Sequence, residues 1–186
     1  MKKLLFILSL CISINATAQE DAIKSIHTYY KTISKQIEAC KKTKKDTSCL
    51  LYCNTNITNS GNNEWTGSGN YKKEVQFWYE DNPKQCDSCG ENGVNVLKKV
   101  ISSEQAGLTT YYKEFLYDDG KLTFYYIKIT GEQQIEEYRY YYQNDILIKH
   151  IEIGNTMNGE EAAKRFKELI LQKSKFLQKE FILSFI

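Results

Sequence analysis

The chain has 186 residues, of which 41% are hydrophobic and 26% are charged, with 25 basic against 23 acidic side chains. This composition excludes wholesale disorder, and a mean hydropathy of −0.52 excludes a protein with many membrane spans. The basic excess is only two residues, so we expect no nucleic-acid partner. Its two histidines leave little material for hydrolytic triads, and we expect a protein that is not an enzyme.

Residues 1–18 have the composition of an export signal. Lys2 and Lys3 precede an apolar run, and an Ala-Thr-Ala motif stands immediately before Gln19. The apolar run is too short for a membrane span, which needs about 20 residues. We therefore predict a signal peptide cleaved before Gln19, a single mature domain of residues 19–186 without a transmembrane segment, and a periplasmic or extracellular location.

The mature chain begins with a pattern of apolar residues spaced three or four apart. This spacing predicts an amphipathic helix over Asp21–Lys45. A segment rich in Asn and Gly follows from Asn54 to Asn70, and it is typical of a long irregular loop. At the other end of the chain, helix-forming residues predict a second helix over Glu160–Ser184, in which Lys173 interrupts the apolar stripe. The apolar end after Phe181 predicts docking into the core, with a membrane-contacting tail as the alternative.

Between these helices the apolar period changes to two, which is typical of strands with one wet face. The connections contain few residues, often with Gly or Asn, so they favour antiparallel pairing over parallel crossovers. We predict an α+β fold: an N-terminal helix, an antiparallel meander of about six or seven strands and a long C-terminal helix, with both helices on one face of the sheet. The predicted strands are Tyr71–Glu80, Val94–Ser103, Thr109–Tyr117, Leu122–Thr130, Ile135–Tyr142 and Ile146–Ile153.

Two hairpins share one order of residues: an aromatic residue, a turn and then aliphatic residues. The first is Tyr117-Asp118-Asp119-Gly120-Lys121-Leu122, and the second runs from Tyr142 to Ile148. This order resembles that of uncharacterised small exported bacterial proteins with a tyrosine-rich antiparallel meander. The resemblance implies an exported meander and carries no catalytic residues.

Signal cleavage removes Cys11 and leaves five of the six cysteines, so one thiol has no partner within the chain. We expect Cys40 to be the free thiol, because it continues the apolar stripe of the first helix. We expect disulfides to join Cys49 and Cys53 to Cys86 and Cys89, since four residues along a strand separate the first two too widely for a bond.

The same four cysteines allow two alternatives. Cys49, Cys53, Cys86 and Cys89 resemble a zinc-binding set, although we expect no cofactor. Cys86 and Cys89 alone have the spacing of a redox pair, which would make the protein a thiol-disulfide oxidoreductase.

Aromatic residues give the main functional signal. Trp78 shares a strand face with the polar Glu74, Gln76 and Glu80, Tyr141 neighbours Arg139 in the same way, and Trp65 is the large apolar residue of the Asn-rich segment. We predict a non-enzymatic module that contacts an exported protein, peptide or glycan through this aromatic sheet face and the loop. Coverage of the same aromatic residues by a helix is the alternative reading. A further alternative is a carrier that holds a lipid-like ligand between the sheet and the C-terminal helix, since the architecture distantly resembles helix-grip proteins.

Overall fold

The computed structural model describes residues 2–42, 49–65, 69–82, 94–154 and 159–186, and it describes side chains from residue 19 onwards apart from those of residues 82, 94 and 159–165. In these ranges two helices flank eight strands. The elements are α1 (Lys2–Lys42), β1 (Tyr52–Thr58), β2 (Glu64–Trp65), β3 (Gly69–Asn82), β4 (Val94–Ala106), β5 (Thr109–Asp118), β6 (Lys121–Thr130), β7 (Ile135–Gln143), β8 (Ile146–Ile153) and α2 (Gly159–Leu183).

The strands form one antiparallel sheet in the order β1-β3-β4-β5-β6-β7-β8, and the short β2 pairs with the start of β3. From β3 to β8 every strand pairs with its neighbour in sequence, as an up-and-down meander does. The predicted α+β fold is therefore confirmed. The six predicted strands agree with β3 to β8 within three residues at every end, because alternation and turn residues are local signals.

Two tight turns explain why the meander keeps its register. Asp119 and Gly120 join β5 to β6, and Asn144 and Asp145 join β7 to β8; all four residues have positive φ. Two central residues in this left-handed region match the right-handed twist of the flanking strands, and Asn, Asp and Gly adopt it at the lowest cost. At the end of β8, Gly154 has a φ of 131°, and a Cβ there would lie 2.9 Å from the carbonyl oxygen of Ile135.

The two helices lie on opposite faces of the sheet. On one face α1 buries Ile26, Ile33 and Ile37 against aromatic residues of the central strands. On the other face α2 buries residues that include Leu177 and Phe181. The prediction that both helices share one face is wrong. The apolar stripe that a helix buries does not specify which side of a two-sided apolar sheet it meets.

The predicted Asn-rich loop is shorter than its composition indicates, because its first residues belong to β1. The Asn54 and Asn56 side chains donate hydrogen bonds to Ser184 Oγ at 3.2 Å and to Glu180 Oε1 at 3.0 Å. Asparagine is a poor strand former in isolation, yet here its amide joins the edge strand to α2. Loop residues between β1 and β2 remain outside the sheet.

The apolar C-terminus is only partly docked. Phe181 is buried, but Ile182, Leu183 and Ile186 are more than half exposed. Phe185 also packs, with its ring centroid 5.3 Å from that of Tyr79 and 5.0 Å from that of Phe181. The expectation that the whole end packs into the core is therefore wrong for Ile182, Leu183 and Ile186. In the described part of the chain, neither helix contains an apolar stretch long enough to cross a membrane.

Candidate functional site

The aromatic face that the sequence predicts to be open lies beneath α1. Trp78 is 5% exposed, and its Nε1 donates a hydrogen bond to Gln76 Oε1 at 3.2 Å. Tyr141 is 1% exposed, and its hydroxyl lies 3.1 Å from His27 Nε2 on the helix. The prediction that Trp78 and Tyr141 form an exposed binding surface is therefore wrong, because the first helix covers their polar-flanked face of the sheet.

Trp65 remains exposed at 47% of its surface. Its ring centroid lies 4.7 Å from that of Tyr71, so the two rings form a small aromatic platform. Tyr71 also lines a cleft of about 230 Å³, in which the other residues are polar: Asn62, Asn70, Lys72 and Gln105. The structure thus separates Trp65 from Trp78 and Tyr141, with which the sequence grouped it.

The cysteine pairing also differs from the prediction. Cys40 and Cys49 form a disulfide, with their Cα atoms 4.8 Å apart. Cys40 is therefore not the free thiol, and Cys49 is not available to the segment that contains Cys86 and Cys89. Within the described residues the free thiol is Cys53, which is exposed on the edge strand β1. The disulfide joins the end of α1 to the residues just before β1, and the apolar stripe alone gave no sign of it.

Cys86 and Cys89 lie outside the described residues, so their disulfide and redox roles stay predictions. The zinc hypothesis needs thiolates, and the disulfide removes Cys49 from the proposed set of ligands. Among the residues with described positions, no group of three His, Cys, Asp or Glu side chains has the geometry of a metal site.

A buried ion pair lies between α1 and the sheet. Lys99 Nζ is 3.0 Å from Glu114 Oε2, and the side chains are 2% and 7% exposed. From α1, Tyr30 donates a hydrogen bond to Glu114 Oε2 at 2.7 Å, and Ser34 Oγ accepts one from Lys99 Nζ at 3.1 Å. From the sheet, Tyr112 donates to Glu114 Oε1 at 2.6 Å. Both carboxylate oxygens are thus occupied by donors.

The ionisation of this cluster follows its burial. Loss of solvent lowers the pKa of Lys99, although the Glu114 carboxylate opposes the effect. Burial first, and then Glu114, raises the pKa of Tyr30 well above its ordinary value. A cleft of about 340 Å³ lies beside the cluster, and Tyr30, Glu114 and Tyr141 are among its walls. Because the polar groups of the cluster already satisfy one another, we assign it the structural role of fixing α1 on the sheet.

The opposite face contains a groove between α2 and the sheet, which we call the α2 groove. It consists of two adjoining clefts of about 330 and 300 Å³, within the range of small-molecule sites. Both clefts are lined by Tyr125, Ile127, Phe166 and Ile170, so they share an apolar wall. The first cleft adds Val75, Phe115 and Leu177, and the second adds Ile129, Tyr138, Tyr140 and the acidic Glu136.

Three lysines line the first cleft of the α2 groove: Lys73, Lys113 and Lys173. Lys113 pairs with Glu104 at 3.1 Å, whereas the ion pairs between described residues include neither Lys73 nor Lys173. Burial first, and then the charge of Lys73, lowers the pKa of Lys173, with Lys113 adding to the effect. The groove therefore combines an apolar interior with an excess of positive charge.

The sequence carries three signs of this site, because each lysine interrupts an apolar pattern. Lys173 interrupts the apolar stripe of α2, Lys73 is in phase with Val75 and Phe77 on β3, and Lys113 is in phase with Phe115 and Tyr117 on β5. By contrast, the Lys99–Glu114 pair has no sequence signal, because its members join neighbouring strands through the sheet register.

Comparison with known proteins adds little to this picture. An uncharacterised protein of Methanocaldococcus jannaschii is 38% identical over 69 residues, which cover 36% of this chain and 32% of that protein. The chain thus matches about a third of the relative's length. No family model matches the sequence, and no solved structure matches it.

Proposed function

We propose that the protein binds an amphipathic anion, a molecule with a hydrocarbon chain and a carboxylate or phosphate head, in the α2 groove. The supporting observation is the position of three lysines on the wall of an otherwise apolar cleft. The hydrocarbon chain of the ligand would lie against Tyr125, Ile127 and Ile170, where burial of each methylene contributes about 0.8 kcal/mol. The head would lie beside Lys173 and Lys73, whose mutual repulsion a negative charge relieves.

A fluorescent fatty acid tests this proposal directly. We expect the purified protein to enhance the fluorescence of a dansyl-labelled long-chain fatty acid and to bind the corresponding fatty alcohol more weakly. Lys173→Glu should reduce affinity for the acid by about tenfold, because a charge-assisted contact becomes a repulsion. Lys175→Glu is the matched control, since Lys175 is exposed on the same helix and does not line the groove.

Two results would contradict the proposal. One is an absence of fatty acid binding by the unaltered protein, and the other is an equal effect of Lys173→Glu and Lys175→Glu. Organic extraction of the purified protein, followed by mass spectrometry, would identify any natural ligand that stays bound.

The Trp65 platform supports a second candidate function, the binding of a glycan. Aromatic rings stack on sugar faces, and the neighbouring cleft supplies the amides of Asn62, Asn70 and Gln105 for hydroxyl groups. A glycan array should then retain the protein, and Trp65→Ala should abolish retention. Tyr52→Ala is the matched control, because Tyr52 is 56% exposed on the edge strand and lies outside this cleft. Equal retention of the Trp65→Ala and Tyr52→Ala variants would exclude the Trp65 platform as the glycan-binding site.

We also propose that the protein is exported. The Cys40–Cys49 disulfide supports this location, because such bonds persist in oxidising compartments. Intact mass of the protein purified from a periplasmic extract tests it: we expect a mature chain that begins at Gln19. A full-length chain found only in the cytoplasm would contradict the proposal.

A further inference from the structure

The outward side of α2 exposes apolar residues that the sheet does not cover. Leu169, Phe176 and Leu183 are 54%, 57% and 56% exposed. Residues seven apart lie on nearly the same side of a helix, so these three form a stripe about 21 Å long. We call it the α2 outer stripe. The intervening turns carry polar residues at the corresponding positions, Gln172 and Lys173 in one and Lys179 and Glu180 in the other, so the stripe consists of three apolar side chains set among polar ones. Soluble proteins expose single apolar residues routinely, but three in line on one side of a helix form a candidate contact surface.

Positive charge accompanies the stripe. From residue 166 to residue 186, α2 and the end of the chain carry four lysines and two glutamates. Lys173 Nζ lies 4.5 Å from the ring centroid of Phe176, so a lysine borders the apolar surface directly. One of the glutamates, Glu180, accepts a hydrogen bond from Asn56 and is held against β1. Exposed apolar residues beside Lys173, on a helix segment with a net positive charge, are complementary to an anionic lipid surface, which offers negative head groups above hydrocarbon.

The outer stripe is continuous with the α2 groove. Leu169 belongs to the stripe and also lines the first cleft, and Lys173 lies between the two surfaces. A surface that contacts the stripe therefore lies next to the opening of the groove. Neither helix in the described ranges has a span long enough to cross a bilayer, so the geometry favours a helix that lies on the surface.

We propose that α2 docks the protein on anionic bilayers through Leu169, Phe176 and Leu183, with the groove opening at the membrane surface. The inference rests on the proposed function, since the bilayer is then the source or the destination of the amphipathic anion. A second copy of the chain suits the stripe less well. Symmetric pairing of two such stripes would bring like-charged lysines together, whereas anionic lipid neutralises them.

Sedimentation with vesicles tests the proposal. We expect the protein to bind mixed vesicles that contain phosphatidylcholine and phosphatidylglycerol in equal amounts. It should bind vesicles of pure phosphatidylcholine more weakly. The double variant Phe176→Gln/Leu183→Gln should lower binding to the anionic vesicles by at least about tenfold. Neither residue lines the groove, so binding of the fluorescent fatty acid in solution should be unchanged.

The matched control is Leu108→Gln/Ile146→Gln, which alters two residues that are 75% and 67% exposed at hairpin ends of the sheet. This control should bind vesicles as the unaltered protein does. Vesicle binding that is absent from the unaltered protein, or equal in both double variants, would overturn the proposal. So would a dimer that dissociates in Phe176→Gln/Leu183→Gln, because the stripe would then join two copies. If the unaltered protein binds anionic vesicles but not the fluorescent fatty acid, the proposed function is refuted and membrane docking is still supported.

Discussion

Removal of the Cys40–Cys49 disulfide should destabilise the protein by a calculable amount. The bond joins the end of α1 to the segment that leads into β1, with nine residues of sequence separation. The chain-entropy relation for a loop of that length gives about 2.6 kcal/mol at 25 °C. A bond from Cys49 to the segment with Cys86 would close a loop of roughly 37 residues and contribute about 3.8 kcal/mol by the same relation.

Urea denaturation followed by far-UV circular dichroism measures the loss. We expect Cys40→Ser/Cys49→Ser to lower the free energy of unfolding by about 2 to 3 kcal/mol with the fold retained. Cys53→Ser is the matched control and should change stability by less than about 0.5 kcal/mol, because Cys53 is an exposed free thiol. A double variant as stable as the control would refute the reasoning, and so would a peptide map that links Cys49 to Cys86 or Cys89.

Three further predictions follow from the buried ionisable groups. Lys99→Met leaves the Glu114 carboxylate buried without its cation, and it should lower the free energy of unfolding measured in urea by about 3 to 5 kcal/mol. Lys99→Met/Glu114→Leu should recover part of that free energy. A double variant less stable than the single variant would contradict this reasoning. Burial, aided by Glu152, raises the pKa of Tyr140 to about 12, so the folded state keeps a proton that the unfolded chain releases near pH 10. Stability should therefore be complete below about pH 10 and fall as the pH rises towards about 12; a flat urea midpoint over that range would contradict it. Affinity for the fluorescent fatty acid should fall as pH rises through the lowered pKa of Lys173, and Lys173→Ala should remove that dependence.

Comparison of the predicted and observed elements shows which signals were local. The turns at Asp119-Gly120 and Asn144-Asp145 were predicted because both pairs consist of residues that tolerate positive φ, and each pair stands between two alternating segments. β1 was missed in part because Asn54 and Asn56 are poor strand formers. Their amides bond to α2, which is more than a hundred residues away in sequence, so no local pattern contains that stabilisation.

The candidate sites depended more on tertiary structure than the strands did. Trp78 and Tyr141 share their strand faces with polar residues, and that pattern is the same whether water or a helix covers the face. In the structure α1 covers this face and buries both residues. Gln76 is the hydrogen-bond partner of Trp78, and His27 is the partner of Tyr141. A ligand site between the sheet and the C-terminal helix was an alternative hypothesis from the sequence, but that hypothesis rested on the architecture and named none of the lysines of the α2 groove. Lys73 and Lys113 join it only because the sheet register and the path of α2 bring β3, β5 and the helix together.

By itself, then, the sequence determined the class of fold, the order of the strands from β3 to β8 and the presence of a helix at each end of the sheet, because periodicity and turn chemistry act over a few residues. Only the tertiary structure decided that the helices take opposite faces, that Cys40 pairs with Cys49, and that three lysines meet beside an apolar cleft. These outcomes depend on contacts between distant segments. Their free energies come from burial and pairing across the whole chain, which no single stretch of residues contains.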